Sequence, residues 1–183
     1  VLEAQHLGQD EGTTTIGVIP EDGGGTGSSF VFVIEAGRVV DVPFDDREDG
    51  SYTVRVLSDA PTVAAVRVST AVQADAATET LAATDFAWLT SAPALADRAQ
   101  VTVAPGPDPG LHLSNPTASA QLVTVAGSNG DRATVDVPAG ASATIPVEGS
   151  VTYTLSGFDT LYAAVTLAGD GTIARYAVQP AGV

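Results

Sequence analysis

Short runs in which apolar and polar residues alternate recur about every ten residues, rich in Val, Thr and Ile and bounded by Gly, Pro, Asp or Asn. Such alternation marks strands with one buried face, because successive side chains of a strand point to opposite sides of the sheet. The pattern predicts strands over 13–20, 29–35, 38–43, 51–58, 62–70, 84–91, 99–104, 110–114, 119–126, 132–138, 141–147, 151–156, 161–168 and 172–178. Helical periodicity is nearly absent, so the expected fold class is all-β. Ala36-Gly37, Asn129-Gly130, Ala139-Gly140 and Gly169-Asp170-Gly171 carry the turn chemistry that tight hairpins need. Residues 71–83 are rich in Ala but lack a sustained apolar face, which predicts a loop or a single helical turn. The Gly-rich run 21–29 predicts a flexible loop; with no Lys after it and no helix opening behind it, it is not a phosphate cradle.

The two halves of the chain line up with each other. Ala36-Gly37 through Pro43 matches Ala139-Gly140 through Pro146 at an offset of 103, Tyr52-Thr53-Val54 matches Tyr153-Thr154-Leu155 at 101, and Val63–Val66 matches Tyr162–Val165 at 99. Further matches are His6-Leu7 on His112-Leu113 and Ile16 on Leu122 at 106, and Phe86-Ala87 on Ile173-Ala174 at 87. Copies of about 90 residues with about seven strands each have the size of an immunoglobulin-like sandwich, and two such repeats in tandem are the expected architecture: 1–92 and 99–183, joined by a linker at 93–98. The opening strand of the second copy has no counterpart in the first, where the offset places it ahead of Val1. Together with the absence of a starting Met, this suggests an excerpt that begins inside a repeat.

Composition excludes whole classes of chemistry. The chain has no Cys, so it has no disulfide framework, thiolate nucleophile or Cys-based metal site. All seven basic residues are Arg; without Lys there is no Schiff-base chemistry and no phosphate-binding lysine. A net charge of -15 argues against nucleic acid or an anionic membrane surface as partner. The longest apolar runs fall well short of the roughly 18 residues that a membrane helix requires.

Candidate functional residues are few. No catalytic, cofactor-binding or metal-binding residue is assigned: there is no G-x-S-x-G, no H-E-x-x-H and no His beside a plausible Ser nucleophile. A glycosidase pair among the 22 carboxylates is defined by spatial separation, and nothing in the sequence selects one. The acidic loop 45–50 superficially follows a calcium loop, but Arg47 takes a ligand position and the terminal bidentate Glu is missing. His6 and His112, and Tyr52 and Tyr153, fall in corresponding places and are expected to serve the fold, the tyrosines as corner devices. Trp88, the only Trp, offers a stacking platform for sugar or a packing element near the domain junction. Tyr162 and Tyr176 on adjacent strands are the remaining ligand candidates, although one-face burial is the more economical reading.

Asp85-Phe86-Ala87-Trp88 with Ala92-Pro93, the run Leu111–Pro116, Val137-Pro138-Ala139-Gly140 with Ile145-Pro146, and Leu161–Val165 together resemble the carboxy-terminal part of the actinobacterial envelope proteins classed as domain of unknown function 5719. The resemblance implies a membrane-anchored protein, its anchor upstream, with its bulk outside the membrane and no assigned activity, cofactor or functional residues. The expected function is a non-enzymatic, extracytoplasmic spacer or protein-interaction module of the cell envelope. The alternative is a carbohydrate-binding module that uses Trp88, Tyr162 or Tyr176 on envelope polysaccharide.

Overall fold

The computed structural model describes residues 1–21, 27–44, 50–71, 84–169 and 171–180. Among them are fourteen strands and no helix: β1 (Leu2–His6), β2 (Gly12–Pro20), β3 (Ser28–Ile34), β4 (Val39–Val42), β5 (Tyr52–Ser58), β6 (Thr62–Ala71), β7 (Thr84–Thr90), β8 (Leu95–Thr102), β9 (Gly110–Ser114), β10 (Gln121–Gly127), β11 (Arg132–Val137), β12 (Ser142–Pro146), β13 (Thr152–Gly169) and β14 (Thr172–Ala177). The all-β expectation holds. β1 escaped prediction because its alternation runs through Ala, Glu and Gln, residues of low strand propensity, yet Leu2, Ala4 and His6 all point inward. The central parts of the Gly-rich run, the acidic loop and the Ala-rich segment lie outside the described residues.

The chain divides into two compact units, Val1–Arg67 with Trp88–Ser91, and Val68–Ala87 with Ala92–Val183. This departs from the expected division in two places. Residues 68–87 cluster with the second unit, where the Asp85 carboxylate accepts a hydrogen bond from the Ile173 amide at 2.9 Å. Residues 95–98, expected in the linker, open β8: Leu95 pairs with Leu161 and is fully buried in the second core. A linker would leave that side chain in water at a cost of about 2 kcal/mol.

In the first unit one sheet pairs β1 with β4 and β6 and the other pairs β2 with β3 and β5, all antiparallel. Leu2, Ala4, Ile16, Val18, Ile34 and Val42 from both sheets form one core, lined further by Tyr52, Val54, Val56, Ala64 and Val66. In the second unit β13 is an 18-residue strand that serves both layers. Its first half pairs with β10 and β8, and its second half with β9 and β14. Inward residues of both layers again share one core, among them Leu95, Val101, Leu111, Leu113, Val123, Leu155, Leu161 and Val165. β13 changes layer at a bulge around Phe158, beside Gly157. Gly157 has φ +88, and a Cβ there would stand 2.7 Å from the Leu122 carbonyl, so only glycine fits the bend.

The strand pairings of one unit recur in the other. β1 pairs with β4 and β6 as β9 pairs with β12 and the end of β13; β2 pairs with β3 and β5 as β10 pairs with β11 and the start of β13. The Ala36-Gly37 and Ala139-Gly140 turns take the same place, both glycines at φ +68 and both turns closed by a 3.1 Å bond, from Arg38 N to Glu35 O and from Ala141 N to Pro138 O. β5 and β6 correspond to the two halves of β13, interrupted in the first unit by the turn at Asp59-Ala60. The strand that borders the first half of β13 is β8, which precedes β9 in the chain, whereas in the immunoglobulin order the closing strand takes that edge.

Register corrects two of the expected correspondences. Gln5 lies opposite Val39 and Val63 as Ser114 lies opposite Ser142 and Tyr162, so β1 maps onto β9 at an offset of 109 and His6 falls on Asn115, not His112. Val18 lies opposite Val54 as Val125 lies opposite Leu155, so β2 maps at 107 and Ile16 falls on Val123, not Leu122. Both errors shift a strand by an odd number of residues, which turns its buried face to solvent. Leu122 is 62% exposed, whereas Ile16 and Val123 are buried. No helix of the described residues is long and apolar enough to cross a membrane.

Candidate functional site

His6 and Asn115 hold the same structural place. Both are buried, both amides donate to the equivalent turn (Arg38 O and Ala141 O), and both side chains accept from the amide two residues on: Gly8 to His6 Nδ1 at 2.7 Å, Thr117 to Asn115 Oδ1 at 2.9 Å. The Asn115 amide nitrogen further donates to the carbonyls of Ser119, Val137 and Pro138. Gln121 Nε2 donates to Asn115 Oδ1 and to the Thr160 carbonyl, while its Oε1 accepts from the Asp159 amide. This polar clasp pins the bend of β13 to the turn between β11 and β12. His6 is less complete. Since its Nδ1 accepts from Gly8, the neutral ring carries its proton on Nε2, which is buried without a hydrogen-bond partner. Its role is to fill and tie the strand end.

Tyr153 meets the corner expectation. It is buried, and its hydroxyl accepts from the Glu148 amide at 2.8 Å, tying the turn before β13 to the core. Tyr52 occupies the corresponding register position opposite Pro20, as Tyr153 does opposite Gly127. His112 sits on the outward side of β9, its Nδ1 3.0 Å from the Thr144 hydroxyl.

The three ligand candidates separate. Trp88 lies in the first unit, 43% exposed on β7. Tyr162 and Tyr176 do lie on neighbouring strands of the second unit, but on opposite faces. Tyr176 stands opposite the buried Val165 and packs against the core, whereas Tyr162 points outward between the buried Leu161 and Ala163. The Tyr176 hydroxyl accepts from the Ala104 amide at 2.9 Å and faces the Thr102 carbonyl at 3.2 Å, so it braces the chain leaving β8. The structure brings together no aromatic pair from the two tyrosines.

Trp88 therefore belongs to the outward face of the sheet β4-β1-β6-β7. On that face Gln5 is flanked in register by the exposed Val39 and Val63, and Glu3 lies directly opposite Asp41. Like charges facing each other cost stability unless solvated, so this row stays wet while the valines and Trp88 offer apolar contact. The arrangement suits binding by stacking and burial.

Asp10, Glu11 and Asp59 border an open depression beside His6. The Asp59 carboxylate is already engaged, accepting from the Thr13 amide at 2.7 Å. Among the described residues no group of three or more His, Asp or Glu is arranged to hold a metal ion.

A family model described as "Family of unknown function (DUF5719)" matches residues 2–148. Neither the curated proteins nor the solved structures include a match to the chain.

Proposed function

The chain belongs to the DUF5719 family, and from that membership we propose that it is a non-enzymatic, extracytoplasmic module of a cell-envelope protein, built of two tandem sandwiches and acting as a spacer or protein-interaction domain. The observation that carries this reading is the recurrence of one strand plan in two units, each with its own core. Repetition of a self-contained unit adds surface without needing a catalytic centre, which suits a spacer. The buried polar residues support the same reading, since His6, Asn115, Gln121 and Thr14 all serve strand ends and bends. The net charge of -15 suits a surface that repels its own kind and polyanions.

The test is topological. A tag placed after Pro180 in the full-length protein should be removed by protease added to intact cells or protoplasts, while a cytoplasmic marker survives. A tag protected until lysis overturns the extracytoplasmic part of the proposal.

A second reading, binding of envelope polysaccharide, is favoured by one observation: Trp88 stands exposed on its strand. Trp88 is the only Trp, so its fluorescence reports that face alone. Saturable quenching by envelope glycan, lost in Trp88→Ala, supports this reading; an unresponsive spectrum removes it.

A further inference from the structure

We infer that the depression beside His6 is a binding site for an amino sugar, a ring that carries a protonated amine next to a hydroxyl oxygen. The second unit supplies the contrast. There the Asn115 amide nitrogen ends on three carbonyls, and Gln121 reaches in from β10 to bond Asn115, the Thr160 carbonyl and the Asp159 amide. In the first unit the place of Gln121 falls, at the offset of 107, to Thr14, a shorter side chain whose hydroxyl bonds Ser58 instead. The places of Asp159 and Thr160 fall to Ala60 and Pro61, at the offset of 99 that Val63 and Tyr162 share. Where the second unit is plugged by its own carboxamide, the first has an open depression of about 450 Å³, lined by His6, Gly8, Asp10, Glu11, Ala60 and Pro61 among others.

His6 gives the site its direction. The residue is 1% exposed, its Nδ1 accepts from the Gly8 amide, and the proton on Nε2 meets no acceptor. Backbone lies close over that ring edge: a Cβ on Gly8 would stand 3.3 Å from Nε2, and one on Gly12 2.6 Å. The two glycines spare the edge any side-chain cover from the loop that rims the depression, so an oxygen can approach it. Asp10 and Glu11, both exposed, hold no hydrogen bond or ion pair among the described residues. Asp59 gives one oxygen to the Thr13 amide and keeps the other unbonded. The ligand therefore needs an acceptor for Nε2 and positive charge for the carboxylates, on one small frame. A metal ion brings charge but no acceptor, and among the described residues no three His, Asp or Glu are arranged to hold one. A Lys or Arg side chain also lacks the acceptor, and a neutral sugar lacks the charge. An amino sugar carries both on adjacent carbons, with further hydroxyls to donate to the carboxylates and a C–H face for Ala60 and Pro61.

The test is an NMR titration of the chain of residues 1–183 with glucosamine, glucose, N-acetylglucosamine and glycinamide, at constant ionic strength and at a pH where the amines are protonated. Glucosamine should give saturable shifts of the amides of residues 8–11 with a Kd of about 1 mM, and should move the His6 Nε2–H signal downfield as it gains an acceptor. Glucose and N-acetylglucosamine, which lack the charge, should bind at least about tenfold more weakly. Asp10→Asn combined with Glu11→Gln, at exposed positions that leave the core intact, should weaken glucosamine binding by about tenfold. No saturable shift with glucosamine, an unchanged affinity in the double variant, or loop shifts without the His6 signal overturns the inference. Glycinamide presents an amine beside a carbonyl but no ring; binding as tight as that of glucosamine overturns the assignment to a sugar.

Discussion

Replacing Asn115 by Leu removes the polar clasp while keeping the branched four-atom outline of the side chain, although the methyl groups are bulkier than the carboxamide atoms and add some overpacking at this buried site to the lost hydrogen bonds. The Asn115 carboxamide makes six contacts, donating to Ser119, Val137 and Pro138 carbonyls and accepting from the Thr117 amide, the Thr117 hydroxyl and Gln121 Nε2. The contacts to Ser119, Pro138 and Thr117 are partly buried, and water takes over some of them. Those to Val137 and Gln121 are buried and stay unreplaced. At about 1–3 kcal/mol for each buried group left unpaired, the variant should lose about 3 kcal/mol. For a urea slope near 2 kcal/mol per M, the midpoint of the second unit falls by about 1.5 M. Far-UV circular dichroism in urea, with hydrogen exchange on β10 and β13, measures it; Trp88 fluorescence serves as the internal control from the first unit. A loss below about 1 kcal/mol refutes the claim that this clasp holds the bend of β13.

Three further outcomes follow from the same geometry. Gly157→Ala forces a Cβ to 2.7 Å from the Leu122 carbonyl at φ +88, while Gly140→Ala has φ +68 but meets nothing within 4 Å; thermal melting should show a loss of about 3 kcal/mol for the first and about 1 kcal/mol for the second. Gly12→Ala brings a Cβ to 2.6 Å from His6 Nε2 and 2.7 Å from Ala60 Cβ, and denaturant titration should show the first unit weakened by about 1–3 kcal/mol; an unchanged midpoint means that the His6 ring yields freely. Tyr153→Phe takes the acceptor from the Glu148 amide, with an expected loss of about 1 kcal/mol in the same assay and no change in the fold by circular dichroism.

Much of the fold was legible because strand alternation is a local property. Val, Thr and Ile at period two, with Gly at the turns, located the strands from β2 onward to within a few residues, and the paired Ala-Gly turns located the recurrence of the plan. What failed was register. His6 was set on His112 because the two residues are chemically alike, whereas the site it shares with Asn115 is defined by what surrounds it: a buried strand end, an amide two residues ahead and the turn after the neighbouring strand. The continuity of β13 was hidden for a related reason. Ser156-Gly157-Phe158-Asp159 has the composition of a turn, and only the partners on both layers make it a bulge inside one strand.

The candidate site was less legible. Trp88 was found as a singular residue, but nothing local tells an exposed strand aromatic from a buried one, and Tyr176 looked as available as Tyr162 until the pairing with Val165 turned it inward. The sequence alone determined the all-β class, the acidic Lys-free and Cys-free composition with the chemistries it excludes, and the paired Ala-Gly turns, because each depends on residue identity or near-neighbour spacing. The tertiary structure alone decided which polar residues share a site and which aromatics face solvent. Those depend on residues far apart in the chain, and a shift of one position along a strand, nearly invisible in composition, exchanges the inside of a sheet for its outside.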